Sequence, residues 1–440
     1  MLGVADIRLK ADESTIAWIG GGEGIFVNLF SDAPTRPGSA VDALRSLSHK
    51  CQRFILLGGF LGAGKSTVVE RLAGWLKRQK LVPGLIRNDH AEGLIDTAIG
   101  RQHTRDAVVE VTGGCFCCKA GELGAALARL SQTDRPDVFI AEPVGSCTDL
   151  MATVVLPIQQ IYAGPLEMAP MSVLVDAARL AAAVLPDGKP AGARRGFSAD
   201  VQYIFDKQLE EAELLVLNKV DLISKSKLKA LRGWLEHRYP GKPVHAVSTV
   251  TGEGLDAWFA QLLTGKSGPT ALMQVDYQRY GVGEARMGWF NATLGLHATN
   301  KPFDGNAVLL KLAAAIQQDL EADGVELAHF KMSLSQRDGA LAVVNVVRNG
   351  ELAALSRKSS GKVMVGELLI NLRAEAEPEQ LNRWVSAQVD RANQAWRAVW
   401  KKREFFKPRQ PQPTYRVTEL AGREAHGRPA GAGSRSSSPQ

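Results

Sequence analysis

Phe54-Ile-Leu-Leu-Gly-Gly-Phe-Leu-Gly-Ala-Gly-Lys-Ser-Thr-Val-Val69 decides the reading of the chain. Four apolar residues form a short buried strand. The run Gly59 to Ser66 has the pattern G-x-x-x-x-G-K-S, and a helical pattern opens at Ser66. That order of strand, glycine loop and helix is the context a phosphate-binding P-loop requires. Backbone N–H groups of Gly59, Gly62, Ala63 and Gly64 turn onto phosphate oxygens where no Cβ obstructs them. Lys65 supplies a point charge for the β- and γ-phosphates, and Ser66 a hydroxyl for Mg²⁺. Thr67 continues the phosphate loop, and the helix N-terminus adds a favourable dipole.

Outward from this stretch, strands and helices alternate. Apolar segments at Leu81–Arg87, Val108–Val111, Asp137–Ala141, Met171–Asp176, Leu214–Asn218 and Val244–Ser248 are separated by helical patterns. Such an order predicts an α/β fold, a parallel P-loop NTPase sheet with helices on both faces and functional loops at the strands' C-terminal ends. A Gly/Ser/Pro/Lys stretch around 264–268 marks a boundary. Beyond it the pattern predicts a smaller C-terminal α+β domain. Its strands fall near 288–296, 325–334, 340–347 and 363–374, with a helix over about 306–320 and a long helix from Pro378 to about Phe405. Trp384, Trp396 and Trp400 then read as packing residues. The expected division is residues 1–52 as an N-terminal extension, either a small hairpin or a poorly ordered leader, 53–265 as the nucleotide domain, 266–406 as the second domain, and 407–440 as a disordered basic tail.

Composition narrows the function. Of the net charge of +7, six units sit in residues 401–440, which hold nine Lys/Arg against three Asp/Glu. A basic Pro/Gly/Ser-rich tail reads as solvated disorder, and the near-neutral remainder excludes a nucleic-acid surface. No apolar run is long enough to span a bilayer. The charged first thirty residues lack a secretory core, so the chain is expected in the cytoplasm with no membrane partner.

Two further constellations follow the P-loop. Asn218-Lys219-Val-Asp221 closes an apolar strand, where a carboxylate accepts two hydrogen bonds from the guanine edge. Ser248, ending the next strand, is a further base contact. The pair predicts GTP over ATP. Glu142 closes Val-Phe-Ile-Ala as the acid that contacts Mg²⁺ or its water, and Gly145 sits where a backbone N–H senses the γ-phosphate. Lys207 and Gln208 acquire no role. Three of the five cysteines, Cys115, Cys117 and Cys118, fall within four residues. That spacing suits a soft ion such as Zn²⁺ better than a disulfide, with Glu92, His90, Glu110 and Cys147 as candidates for a fourth ligand. A structural zinc, a buried thiol cluster and a redox dithiol are the competing readings.

Gly-Gly-Phe-Leu-Gly-Ala-Gly-Lys-Ser-Thr, Gly-Gly-Cys-Phe-Cys-Cys, Glu-Pro-Val-Gly and Asn-Lys-Val-Asp together resemble the CobW-type GTPases over roughly residues 53–265. These are metal chaperones or insertases related to the nickel GTPases of hydrogenase and urease maturation. The resemblance implies GTP and Mg²⁺ at Gly59–Thr67, with Lys65 and Glu142 as the catalytic groups. It implies Zn²⁺, or Co²⁺ or Ni²⁺, at the three cysteines, guanine at Asn218, Lys219 and Asp221, and a client metalloprotein as partner. A homodimer is compatible with it. The family's loop Asn-Glu-Phe-Gly-Glu stands here as Asn88-Asp-His-Ala-Glu92, and Pro143 and Val144 intervene between Glu142 and Gly145. The competing functions are a regulatory GTPase with a structural metal and an ATP-dependent kinase or ligase. The sequence offers no obvious arginine finger, so slow turnover is expected.

Overall fold

The computed structural model describes residues 5–7, 16–19, 25–28, 52–90, 107–161, 166–185, 196–269, 271–392 and 396–420. The principal sheet contains β1 (Gln52–Gly59), β2 (Pro83–Asp89), β3 (Ala107–Thr112), β4 (Val138–Glu142), β5 (Leu166–Met168), β6 (Ser172–Asp176), β7 (Leu214–Asn218) and β8 (Val244–Ala246). Its order is β8-β7-β6-β1-β4-β2-β3, with β5 beside β1, and every pairing is parallel.

The strands are apolar on both faces because both faces are covered. Alternate residues divide between two cores. Phe54, Leu56, Phe139, Val173 and Leu215 pack with Leu127 of α2 (Ala120–Thr133) and Ile204 of α4 (Ala199–Glu211). Ile55, Leu57, Ile140, Leu174 and Val216 pack with Leu72 of α1 (Lys65–Arg78) and Trp258 of α6 (Leu255–Thr264). Between them run α3 (Ala177–Val184) and α5 (Lys225–Arg238). Each fully buried Phe or Leu contributes about 1.5–3 kcal/mol. Since all the strands are parallel, the P-loop after β1, Glu142 after β4, Asn88 at the end of β2 and the cysteine loop after β3 emerge along one edge.

The helix α7 (Tyr277–Arg286) lies on α4, so this stretch adds to the first layer of helices before the second sheet begins. That sheet is antiparallel, in the order β12-β11-β10-β13-β9-β14. Its strands are β9 (Gly288–Ala298), β10 (Leu327–Gln336), β11 (Leu341–Val346), β12 (Ala354–Arg357), β13 (Val365–Ala374) and β14 (Trp396–Phe406). Phe290, Phe330, Met332, Val344, Leu368 and Ile370 face α8 (Gly305–Ala322) and α9 (Pro378–Arg391). The period of two puts Trp289, His329, Lys331, Asn345, Asn371 and Arg373 on the opposite face. That face meets the P-loop: a Cβ on Gly62 would stand 2.8 Å from the Ala328 carbonyl. Arg179 Nη2 donates to the Leu327 carbonyl at 2.8 Å, and Nη1 pairs with Glu326 at 3.2 Å.

Two expectations require correction. The helix from Pro378 stops at Arg391, and Trp396–Phe406 is an edge strand antiparallel to β9. Trp396 and Trp400 are four apart, a spacing that both periods satisfy. Ala398, also turned to the core, is the tell-tale for a strand. The tail is ordered as far as residue 420: Tyr415–Val417 pairs in parallel with Ala5–Ile7, and Arg416 meets the buried Asp149 at 2.7 Å. Residues 421–440 lie outside the described residues. Ile16–Ile19 and Ile25–Asn28 form the expected hairpin. No described helix is long and apolar enough to cross a membrane.

Candidate functional site

The P-loop is held open by its own polar contacts. Lys65, buried, donates from Nζ to the Gly59 carbonyl at 2.7 Å and the Phe60 carbonyl at 3.3 Å. Gly64 starts α1 at φ 96°, where an added Cβ would lie 2.4 Å from Asn218 Nδ2. Both the left-handed backbone and the neighbour therefore require glycine. Ser66 Oγ donates to Glu142 Oε1 at 2.6 Å, which brings together a hydroxyl and a carboxylate, oxygen donors of the kind Mg²⁺ takes. Asn218 Nδ2 donates to the Ala63 carbonyl at 2.9 Å, and Lys219 Nζ donates to the Gly62 carbonyl and Asp176 Oδ2, both at 2.7 Å. Burial pushes the Asp176 carboxyl up, but the Lys219 ammonium and the amides of α3 outweigh it and hold the group low.

A cavity of about 440 Å³ joins these parts. Gly62, Gly64, Lys65, Ser66, Thr67, Glu142, Gly145, Lys219 and Asp221 line it from the first sheet. His329, Lys331, Asn345, Asn371 and Arg373 line it from the second. Asp221 stands at the rim beside Thr249 and Val250. Ser248 lies beneath, fully buried, its hydroxyl accepting the N–H groups of Val250 at 3.2 Å and Thr251 at 3.1 Å. Its observed contacts shape the rim loop. The cationic face of the second sheet is the component that sequence reasoning missed. Only the pairing of β10 and β13 brings Lys331 and Arg373 opposite the P-loop. Arg373 is buried against the Trp289 ring, 3.9 Å from its centroid, and 3.7 Å from Asp89.

The cysteine loop sits two strands from β4 along the same edge. Cys115 Sγ lies 2.9 Å from Cys117 Sγ and 3.2 Å from Cys118 Sγ, and the latter two are 3.8 Å apart. Cys115 and Cys117 are buried, while Cys118 is partly exposed. Hydrogen bonds from Cys117 and Cys118 hold the Cys115 thiol well below its ordinary range, and the same sharing with Cys115 drives Cys117 up. Asn88 builds this loop: Nδ2 donates to the Val111 carbonyl at 2.9 Å and the Gly114 carbonyl at 2.6 Å, and Oδ1 accepts the Phe116 N–H at 2.8 Å. The C-terminal segment crosses it, Thr414 N donating to the Cys117 carbonyl at 2.8 Å and Gln412 N to Cys118 Sγ at 3.1 Å.

Residues 53–246 match the family model described as CobW/HypB/UreG, nucleotide-binding domain. This stretch is similar to the nucleotide-binding domain of that family. Among curated proteins, the zinc chaperone CobW of a Sinorhizobium species is 28% identical over 201 residues, covering 43% of this chain and 56% of that protein. Zinc-regulated GTPase metalloprotein activator 1 of Dictyostelium discoideum is 27% identical over 214 residues, covering 42% and 43%. The chain thus spans about half the length of the curated relatives it matches. Among solved structures, the Zn(II)-bound YjiA GTPase of E. coli is 13% identical, with 77% of this chain and 99% of that one covered and a TM-score of 0.32. HypB of Archaeoglobus fulgidus is 19% identical, with 51% and 93% covered and a TM-score of 0.33.

Within the matched stretch, the loop after β4 runs from the P-loop cavity towards the cysteine loop. It runs from Glu142, bonded to Ser66, through Gly145 to Cys147, whose thiol is buried in the same core as Cys115. Gln208 of α4, to which the sequence assigned nothing, donates from Nε2 to the Gly145 carbonyl at 3.0 Å and the Cys147 carbonyl at 2.8 Å. Gln208→Leu leaves both carbonyls unpaired in a dry interior, and is expected to cost about 1–3 kcal/mol in urea unfolding. Behind the loop, Glu211 accepts from Thr148 Oγ1 and Met151 N, both at 3.2 Å. Burial, with the Asp149 charge adding to it, pushes its carboxyl up to about 8 from an ordinary value of 4.5. A folded-state value above the unfolded one favours folding most at low pH. The contribution is complete below about 4.5 and lost as pH rises through about 8. Glu211→Gln is expected to flatten the fall of unfolding free energy with pH in that window; parallel profiles for the two proteins would refute the assignment.

Of the fourth-ligand candidates, His90 lies against the Trp289 ring, Glu110 stays on β3, Cys147 is buried in the same core as Cys115, and Glu92 is outside the described residues.

Proposed function

We propose that this protein is a GTP-hydrolysing metal chaperone whose cargo is Zn²⁺ or a similar transition ion, carried at Cys115, Cys117 and Cys118 and delivered to a client metalloprotein. The observation that carries the reading is the single loop from Glu142 to Cys147, one end bonded to the P-loop serine and the other buried in the core that holds Cys115 and Cys117.

The donors fit both ions. Zinc–sulfur bonds of about 2.3 Å in a tetrahedron separate sulfurs by about 3.8 Å. The trio, at 2.9 to 3.8 Å, reaches that spacing with small rotamer changes. Ser66 and Glu142 supply the hydroxyl and the carboxylate suited to Mg²⁺, which when bound neutralises charge on the β- and γ-phosphates. Lys65 holds the phosphate side, its donors turning from loop carbonyls to phosphate oxygens. Asp221 accepts from guanine, and the Gly145 amide reads the γ-phosphate. Losing that phosphate relaxes the loop and, through Cys147, changes the surroundings of Cys115. The Sinorhizobium relative is a zinc chaperone by name, which supports the choice of cargo.

A coupling of 1–3 kcal/mol changes metal affinity about 5- to 150-fold. Zinc affinity measured by chelator competition is therefore expected to differ by that factor between a non-hydrolysable GTP analogue and GDP. Equal affinities, with zinc retained through turnover, would leave a nucleotide switch carrying a structural metal.

A further inference from the structure

Three thiols leave a tetrahedral zinc one ligand short. On α7, Glu284 lines the cavity onto which Cys115 and Cys118 open, outside the cluster of sulfurs that lie within 4.8 Å of one another. Its side chain is only 2% exposed, and Oε2 has no hydrogen-bond partner. The hydroxyl of the neighbouring Tyr280 donates instead to the Ser146 carbonyl at 3.2 Å, and no ion pair joins Glu284 to any described residue. Its position is fixed, because the neighbouring Gly283 presses on α4, where a Cβ would meet the Asp200 carbonyl at 2.5 Å. Cys115, Cys118 and Glu284 line one cavity of about 840 Å³. A buried carboxylate oxygen without a donor or cation costs several kcal/mol unless the group holds a proton or something positive occupies the space before it.

We infer that Glu284 is the carboxylate ligand that closes the thiol trio's metal site, an inference that rests on the chaperone reading above. A hard oxygen beside three sulfurs gives zinc its fourth donor. Because α7 packs on α4, the helix that carries Gln208, the ligand and the loop from Glu142 to Cys147 share one support. The sequence conceals this: Glu284 lies some 165 residues beyond the cysteines, in a stretch with no metal-ligand spacing.

The test is zinc binding to the full chain by competition with a chromophoric chelator, together with the absorption spectrum of the Co²⁺ form. Glu284→Gln keeps the shape of the side chain. Losing an outer-shell partner costs 10–100-fold, so removing a direct ligand is expected to weaken zinc by at least a hundredfold. The sulfur-to-cobalt bands should persist while the visible ligand-field bands shift, and binding of a GTP analogue should be unaffected. Glu284→Asp, retaining the charge, should recover at least part of the affinity and guards against a folding artefact. Wild-type zinc affinity and an unchanged cobalt spectrum in Glu284→Gln would overturn the inference alone. So would a loss of affinity and of sulfur band intensity found in Cys147→Ser but not in Glu284→Gln, which would make Cys147 the fourth ligand. Failure of the unmodified chain to bind zinc would overturn the chaperone reading and Glu284 with it.

Discussion

Asp221→Asn is expected to redirect the protein from guanosine to xanthosine triphosphate, lowering kcat/KM for GTP by about 10⁴-fold. Asp221 lies in the single 3₁₀ turn after β7, and the turn is positioned from below. Lys219 adopts φ 63° and spends its ammonium on Asp176 and the Gly62 carbonyl. Asn218 is tied to Ala63. The carboxylate is therefore delivered to the cavity rim by a scaffold that the substitution leaves untouched. An amide in its place loses one acceptor and gains a donor, which suits the 2-oxo group of xanthine and opposes the 2-amino group of guanine. The ratio of kcat/KM for the two nucleotides is the measurement. A uniform loss for both, or a wild-type preference for ATP, would refute guanine reading.

Cys117→Ser is expected to weaken zinc by about 10²–10³-fold and leave GTP-analogue binding within a factor of a few. Apparent zinc binding energies of about 10–16 kcal/mol, shared among four ligands, are about 3–4 kcal/mol each. Cys117 is buried, and its sulfur is within 2.9 Å of Cys115 and 3.8 Å of Cys118. Serine occupies the space but offers a poor ligand for a borderline-soft ion. The nucleotide cavity is lined by other residues, so a parallel collapse of GTP binding would signal misfolding. Unchanged zinc affinity would place the metal elsewhere.

The parts of the site that were legible in the sequence are those made by contiguous residues. The P-loop, Glu142, the cysteine trio and Asn218–Asp221 each sit at the end of an apolar strand, and a strand end followed by glycine or polar residues is a local pattern. What stayed hidden depends on pairing between distant segments. Lys331 and Arg373 reach the nucleotide cavity only because β10 and β13 are neighbours in the second sheet. Gln208 looks like any amide on a helix until α4 is laid under the loop after β4. The tail is polar and Pro-rich, which reads as disorder, yet a parallel pairing and one buried ion pair fasten it. Trp396 and Trp400 misled because their spacing suits a helix and a strand alike.

The amide of Gln208 grips two carbonyls two residues apart, one of Gly145 at the P-loop cavity and the other of Cys147 in the core that holds Cys115. A single rigid rivet through both leaves no slack between them. Nucleotide exchange and ion release would then run at a common rate, and a rapid-mixing experiment would show one relaxation where a loosely jointed protein would show two.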